Sequence, residues 1–427
     1  MKAAPQIKGW CPSAWRPMLT GDGYLVRLHF ACGILSSEQA HAIASLAQRF
    51  GNGFIDLTRR ANLQIRSVAG ERIAAFQAEL LASGLVAQDA SGADIPNVIA
   101  SPLAGRDRTA LVDIRPIVRE LEERFAHDAR ARDLPAKSCI SLSDCGRFWL
   151  RDVAADIGFE AHAADQFAVR LGGEMIGFIV TEEIAETALA LAAGFVSLRR
   201  TLPAPAPRMR HLIDALGVSA ISGLCPALRR ASAKSLSARH DADRRDEPGH
   251  DAVGMLGDDV LGIGAPFGSL SADQLQLLAE LAERDGDREL RLTPWRSILI
   301  PEIAAEAGNH LEAECKRAGL ITEAVDPRRH IAACAGAPAC AAASVKTREI
   351  AARLAPLLRR GNSLHVSGCA KSCASSASAS VTLVGGAGRF DLIRNGNVSD
   401  RPVLFGLVPG EAQAAVERMN AEDFAHV

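Results

Sequence analysis

Four cysteines late in the chain fall into two pairs: Cys334 and Cys340 in a C-x5-C spacing, Cys369 and Cys373 in a C-x3-C spacing. Paired thiols can do several kinds of chemistry. An isolated buried cysteine acts as a small hydrophobe, which is the reading given to Cys32, Cys225 and Cys315. A structural zinc ion prefers pairs two to four residues apart, which C-x5-C fits poorly. A disulfide requires an oxidising compartment. An iron–sulfur cluster is held by four thiolates, and amides that approach the sulfurs tune its potential. Ala335, Gly336, Ala337, Gly368 and Ala370 leave room for such an approach. Spacing alone leaves these readings open, with the cluster in front.

A second stretch, LTRRANLQIR at 57–66, carries charge where a core strand would not. Read at period two, Thr58, Arg60, Asn62, Gln64 and Arg66 share one face, with Arg59 on the other. Such a face is ordinarily a solvated one. Two arginines flanking two amides would equally receive carboxylates, because a guanidinium grips a carboxylate in a bidentate way.

These groups need a scaffold, and 427 residues suffice for two or three domains with substantial cores. Lys and Arg number 48 against 50 Asp and Glu, so bulk charge does not point to nucleic acid. The start, MKAAPQIKGWCPSAWRP, has no apolar segment of secretory length, and the run ALALAAGFVSL at 188–198 is too short to span a bilayer. The expectation is a cytoplasmic protein without membrane or nucleic-acid partners, whose cysteines stay reduced.

The chain repeats itself. GILSSEQAHAIASLAQRFGNGFIDLTRRANLQI from Gly33 aligns without a gap on GSLSADQLQLLAELAERDGDRELRLTPWRSILI from Gly268. Leu35/Leu270, Ser36/Ser271, Gln39/Gln274, Arg49/Arg284 and Thr58/Thr293 coincide. Each copy reads as strand, helix, strand, strand, helix, with a serine cap before the first helix. A helix on a small antiparallel sheet cannot bury its face alone, so the copies are expected to pair. Further on, ISLSDC (140–145) lies over LHVSGC (364–369). That places Cys145 opposite Cys369, Trp149 opposite Cys373, and Ser101 near the counterpart of Cys334, so the first copy lacks the quartet. GGAGRF at 385–390 sits between two strand-like runs rather than before a helix, so it is no dinucleotide fingerprint.

The combination C-x5-C then G-C-x3-C, with T-x-R-x-N-x-Q at Thr58, Arg60, Asn62 and Gln64, resembles the sulfite/nitrite reductase superfamily. The resemblance implies an α+β fold built twice, with two pairing ferredoxin-like half-domains and two cluster-type α/β domains. Laid on this chain, it gives half-domains at 1–85 and 251–320, a quartet-less domain at 86–200, a linker at 201–250 and a [4Fe–4S] domain at 321–427. It assigns Cys334, Cys340, Cys369 and Cys373 to the cluster. It assigns Arg60, Arg66 and Lys137 to carboxylates of a tetrapyrrole, with Asn62 and Gln64 aiding orientation.

Two basic positions of the superfamily are replaced here, by Pro96 before Asn97 and by Cys139 in LPAKSC. These departures, with ASPLAGRD and RLTPWR, resemble a branch of oxygenases in aerobic cobalamin biosynthesis. That branch implies precorrin-3A as substrate, dioxygen as oxidant and an external donor using NADH. It also implies a mononuclear non-haem iron, for which no ligand set stands out; His330 and His365 flank the cysteine motifs. A sirohaem-dependent sulfite or nitrite reductase is the alternative, and a cluster-bearing electron carrier without a tetrapyrrole is a third reading.

Overall fold

In a computed structural model, residues 11–87, 95–131, 133–223, 225, 227–228 and 252–422 are described. The two repeats form helix-backed antiparallel sheets. Helices Ser37–Phe50 and Ala272–Asp285 each begin at a serine whose hydroxyl accepts from the amide three residues on, while Gln39 or Gln274 reaches back to the cap amide. This reciprocal capping satisfies donors that a helix start leaves free. The apolar faces of the two helices, with Ile43, Leu46, Leu275 and Leu278, meet in one core shared by both repeats.

The pairing goes further than contact, because the repeats exchange a strand. Ser269–Ser271 of the second repeat pairs with Phe54–Leu57 of the first. Ile34–Ser36 of the first pairs with Glu289–Leu292 of the second. Each donated strand covers what would otherwise be an open sheet edge.

Two further sheets form lobes of identical plan. In the first lobe, Asn97–Ala100, Cys139–Ser143 and Ile157–Ala163 run parallel, followed by antiparallel Gln166–Leu171 and Glu174–Val180. In the second, Ile331–Ala333, Leu364–Ser367 and Ala379–Gly386 run parallel, then Arg389–Gly396 and Leu404–Leu407 return antiparallel. GGAGRF is thus the turn of a hairpin, as the sequence indicates. Both helices Met209–Leu216 and Val218–Ser222 fall where a linker was expected. They are ordered because Met209, Leu212, Ile213 and Ile221 bury against the first lobe's core. Within the expected linker, 224, 226 and 229–250 lie outside the described residues.

The stretch 57–66 is not one strand. The chain leaves one strand at Leu57 and enters the next at Leu63. Between them the Thr58 amide donates to the Asn62 carbonyl at 2.9 Å, and the Thr58 hydroxyl accepts from the amides of Arg60 (3.2 Å) and Asn62 (3.1 Å). Ala61 takes φ 51° to close the turn. Period-two alternation does not carry across such a turn, so the single polar face does not form. The second repeat makes the same turn, with Thr293 donating to Ser297 and Arg296 at φ 62°.

Candidate functional site

The two hairpin tips point into a cavity of about 880 Å³ between the lobes. That is the upper part of the ~300–1,000 Å³ typical of small-molecule sites. Its wall carries Arg59 and Arg60 from the first tip, and Trp295 and Arg296 from the second. Arg208 and Asp152 come from the first lobe; Arg328, Arg329, His330 and His365 lie toward the second. Six arginines against one aspartate make a cationic chamber suited to a polyanion.

Some of these arginines are already engaged. Arg208 pairs with Asp156 at 3.0 Å and Arg328 with Asp326 at 2.6 Å. Arg60 donates to the carbonyl of Lys137. Trp295, held by its indole N–H on Asp152 at 2.7 Å, gives the second repeat's side of the cavity a flat, less polar wall. Cys139, at one of the two places where the resemblance led to the expectation of a basic residue, is buried in the wall, and burial pushes its thiol up to about 11. It adds no charge there.

Of the three residues expected to hold carboxylates and the two expected to aid orientation, only Arg60 is on the cavity wall. Asn62 is buried, its amide donating to Asn97 Oδ1 at 2.6 Å and its oxygen facing His29 Nδ1 at 3.0 Å. Gln64 faces Arg27, 3.0 Å from its guanidinium. Arg66 donates to the carbonyl of Ala339 at 2.8 Å, beside Cys340. Lys137 is half-buried and meets the site through its own carbonyl. Arg59, expected on the far face, lines the cavity because the turn and not strand alternation aims it. Nothing in residue pattern separates Arg59 from Arg60 without the turn.

The four cysteines sit on two loops of the second lobe. Ile331–Ala333 and Leu364–Ser367 are neighbouring parallel strands, and Cys334 and Cys369 follow their ends. None of the four is in a disulfide. The Gly368 amide donates to Cys334 Sγ at 3.2 Å. A Cβ on Gly368 would stand 2.6 Å from Ala343 Cβ and 3.4 Å from that sulfur, so only glycine permits this approach. The Thr347 hydroxyl donates to the Cys334 carbonyl. Among the described residues, no three His, Cys, Asp or Glu converge as on a single ion. A cluster makes a different demand, one thiolate for each of several irons. The residues fit that group in donor type, in freedom from disulfides and in the amide aimed at sulfur.

The first repeat braces this loop. Asp56 receives Arg348, just after the cysteine loop, at 2.7 Å and lies 3.9 Å from Arg66. Gly21 also donates to Ala339 at 3.3 Å. Arg66 therefore supports the cysteines rather than the cavity. The loop after Cys373 touches the cavity as well, since Ala374 accepts from Arg296 at 3.4 Å and 375–379 line the wall.

Comparisons with known proteins agree with this plan. The sequence model of the nitrite/sulfite reductase ferredoxin-like half domain matches residues 16–83 and 257–318. That of the nitrite and sulphite reductase 4Fe-4S domain matches 91–226, the lobe without the quartet. A precorrin-3B synthase from Sinorhizobium sp. is 31% identical over 414 residues, spanning 94% of this chain and 86% of that one. A ferredoxin–nitrite reductase from Synechococcus elongatus is 27% identical over 412 residues, spanning 90% and 80%. The solved structure of the Mycobacterium tuberculosis NirA protein superposes with a TM-score of 0.75 at 22% identity, covering 94% of this chain and 81% of that one.

Proposed function

The chain belongs to the nitrite and sulfite reductase superfamily of oxidoreductases, and within it we propose that it acts as a precorrin-3B synthase, an oxygenase of a polycarboxylate tetrapyrrole. The observation that carries the reading is the cationic cavity between the hairpin tips, with a cysteine-bearing loop forming part of its wall. The proposed substrate is precorrin-3A. One atom of dioxygen enters a meso carbon as hydroxyl, and the other leaves as water, with two electrons supplied from NADH through an external donor and two protons, one from NADH and one from solvent. A ring acetate closes the lactone.

Cys334, Cys340, Cys369 and Cys373 would hold the [4Fe–4S] cluster, which supplies one-electron transfer beside the cavity. The chain's own residues do the rest. Arg60 meets a substrate carboxylate, Trp295 offers a flat face to the macrocycle, and Arg66 and Arg348 keep the cysteine loop in place. A mononuclear iron finds no matching set, because no three suitable side chains converge among the described residues. No step is derived through it.

Replacing two basic positions by Pro96 and Cys139 weakens retention of a permanent tetrapyrrole and suits a ligand that must depart as product. The sirohaem-dependent nitrite or sulfite reductase stays as the second reading, favoured by the likeness to the Synechococcus enzyme. Protein purified without oxygen is incubated with precorrin-3A and a reductant, and labelled dioxygen is then admitted. The expected result is label in the tetrapyrrole. A sirohaem spectrum with nitrite- or sulfite-dependent oxidation of a reduced dye overturns it.

A further inference from the structure

Three groups on the cavity wall have no anion of their own. Arg59 makes no hydrogen bond or ion pair among the described residues, and its one nearby carboxylate, Asp152, is held by Trp295. Arg296 donates only a long 3.4 Å bond to the Ala374 carbonyl, and its Nε is buried without a partner. The carboxylate within its electrostatic reach, Asp56, is taken by Arg348, and the Cys334 thiol, also within that reach, is one of the four cysteines assigned to the cluster. His365 is 1% exposed, and neither ring nitrogen has a partner.

All three line the same cavity, and His365 lies within electrostatic reach of both guanidinium groups. Burial and the two arginines hold its imidazole down to about 4, so it is neutral, with one N–H to give. Burial and then Arg59 likewise hold Arg296 down to about 10. Two mutually repelling cations beside an unsatisfied imidazole form an arrangement that an anion completes.

We infer that Arg59, Arg296 and His365 form a carboxylate subsite that takes one acidic arm of the tetrapyrrole and seats it beside the loop carrying Cys373. This rests on the tetrapyrrole reading above and names residues that neither the strand pattern nor the family motif singles out. The two arginines clamp the carboxylate, and His365, a positioning residue, donates the hydrogen bond that fixes its angle.

The probe is uroporphyrin, a stable polycarboxylate tetrapyrrole, titrated by fluorescence quenching into the full chain with its cluster loaded and without turnover. Arg59→Gln and Arg296→Gln should each weaken binding roughly thirtyfold or more. The double variant should lose less than the product of the two, because both grip one carboxylate. Arg49→Gln, whose exposed guanidinium pairs with Glu79 away from the cavity wall, should leave affinity unchanged. His365→Leu should weaken binding and His365→Gln, which keeps a donor, should restore most of it. Variants that bind as wild type, or arginine losses that multiply fully, overturn the subsite while leaving the tetrapyrrole reading intact. A wild-type chain that ignores uroporphyrin overturns both. Circular dichroism identical to wild type certifies that each variant is folded.

Discussion

The two lobes hold the same loop with different atoms. In the second, the Gly368 amide donates to Cys334 Sγ at 3.2 Å. In the first, the amide of Asp144, at the matching position, donates to the Ser101 hydroxyl at 3.0 Å. The backbone agrees as well: Cys334 N donates to Val366 O at 3.3 Å and Ser101 N to Leu142 O at 3.1 Å. Bracing from the ferredoxin-like repeats is also doubled. Arg66 of the first repeat reaches Ala339 in the cysteine loop, and Arg291 of the second reaches Ala104 after Ser101 at 3.1 Å. The frame thus survives loss of the sulfurs. In the first lobe a serine, the buried Asp144 and Trp149, capped by Arg151 at 4.2 Å from its ring, fill the places of cluster ligands and their glycine. This explains how a 4Fe-4S domain pattern can match a lobe that has no quartet.

The comparison breaks most sharply at sulfur. Cys334→Ser makes the second lobe chemically like the first, and the expected outcome is loss of nearly all iron and acid-labile sulfide, because all four thiolates are needed. Cys145→Ser, at the position of Cys369 in the first lobe, should leave both at wild-type levels. Full iron content in the Cys334 variant would remove the cluster assignment.

Arg60→Ala should weaken uroporphyrin binding by about 2–5 kcal/mol if its guanidinium turns to a substrate carboxylate. Unchanged affinity in a folded variant would reduce Arg60 to a link to Lys137.

Next in size is the brace of the first lobe. Arg291 has no solvent exposure and pairs with Glu289. Arg291→Leu leaves Glu289 to Arg106 alone, 3.6 Å away, and strips the Ala104 carbonyl of its donor, and should cost about 1–3 kcal/mol in urea unfolding. Its functional partner in the other lobe, Arg66→Leu, should instead make the cluster labile toward chelators, with tetrapyrrole affinity close to wild type.

The smallest effect is that of the carboxyl standing where the second lobe has Gly368. Burial raises Asp144 to about 6, from an ordinary value of 3.8. Between those values the folded chain holds a proton that the unfolded chain has lost. Stability therefore rises as pH falls through 6, and the gain is complete near the ordinary value. Asp144→Asn should flatten that slope and stabilise the chain at neutral pH by at most about 3 kcal/mol. Unfolding midpoints at pH 4.5 and 7.5 measure it.

Much of this was legible without coordinates. The repeat, both capping serines, the GGAGRF hairpin, the cysteine pairs and the Ser101/Cys334 correspondence are all local or periodic patterns, and such patterns are written in residue order. Period two even located the right charged stretch. What it misassigned was the side-chain direction, because Thr58 closes a turn inside the stretch and so sends Arg59 to the cavity and Arg66 to the cysteine loop.

The chain by itself determined that there would be two repeats, two lobes and a thiol quartet in only one of them. Tertiary structure decided the strand exchange, since an edge strand chooses its partner by whichever sheet is open beside it. It decided that 209–222 is helical, because those apolar residues find a core only once the first lobe exists. It also decided which charges face the cavity. Arg59, Arg296 and His365 are remote in sequence, and only the closing of two hairpin tips over the second lobe brings them together, where burial and mutual repulsion give them a chemistry none has alone.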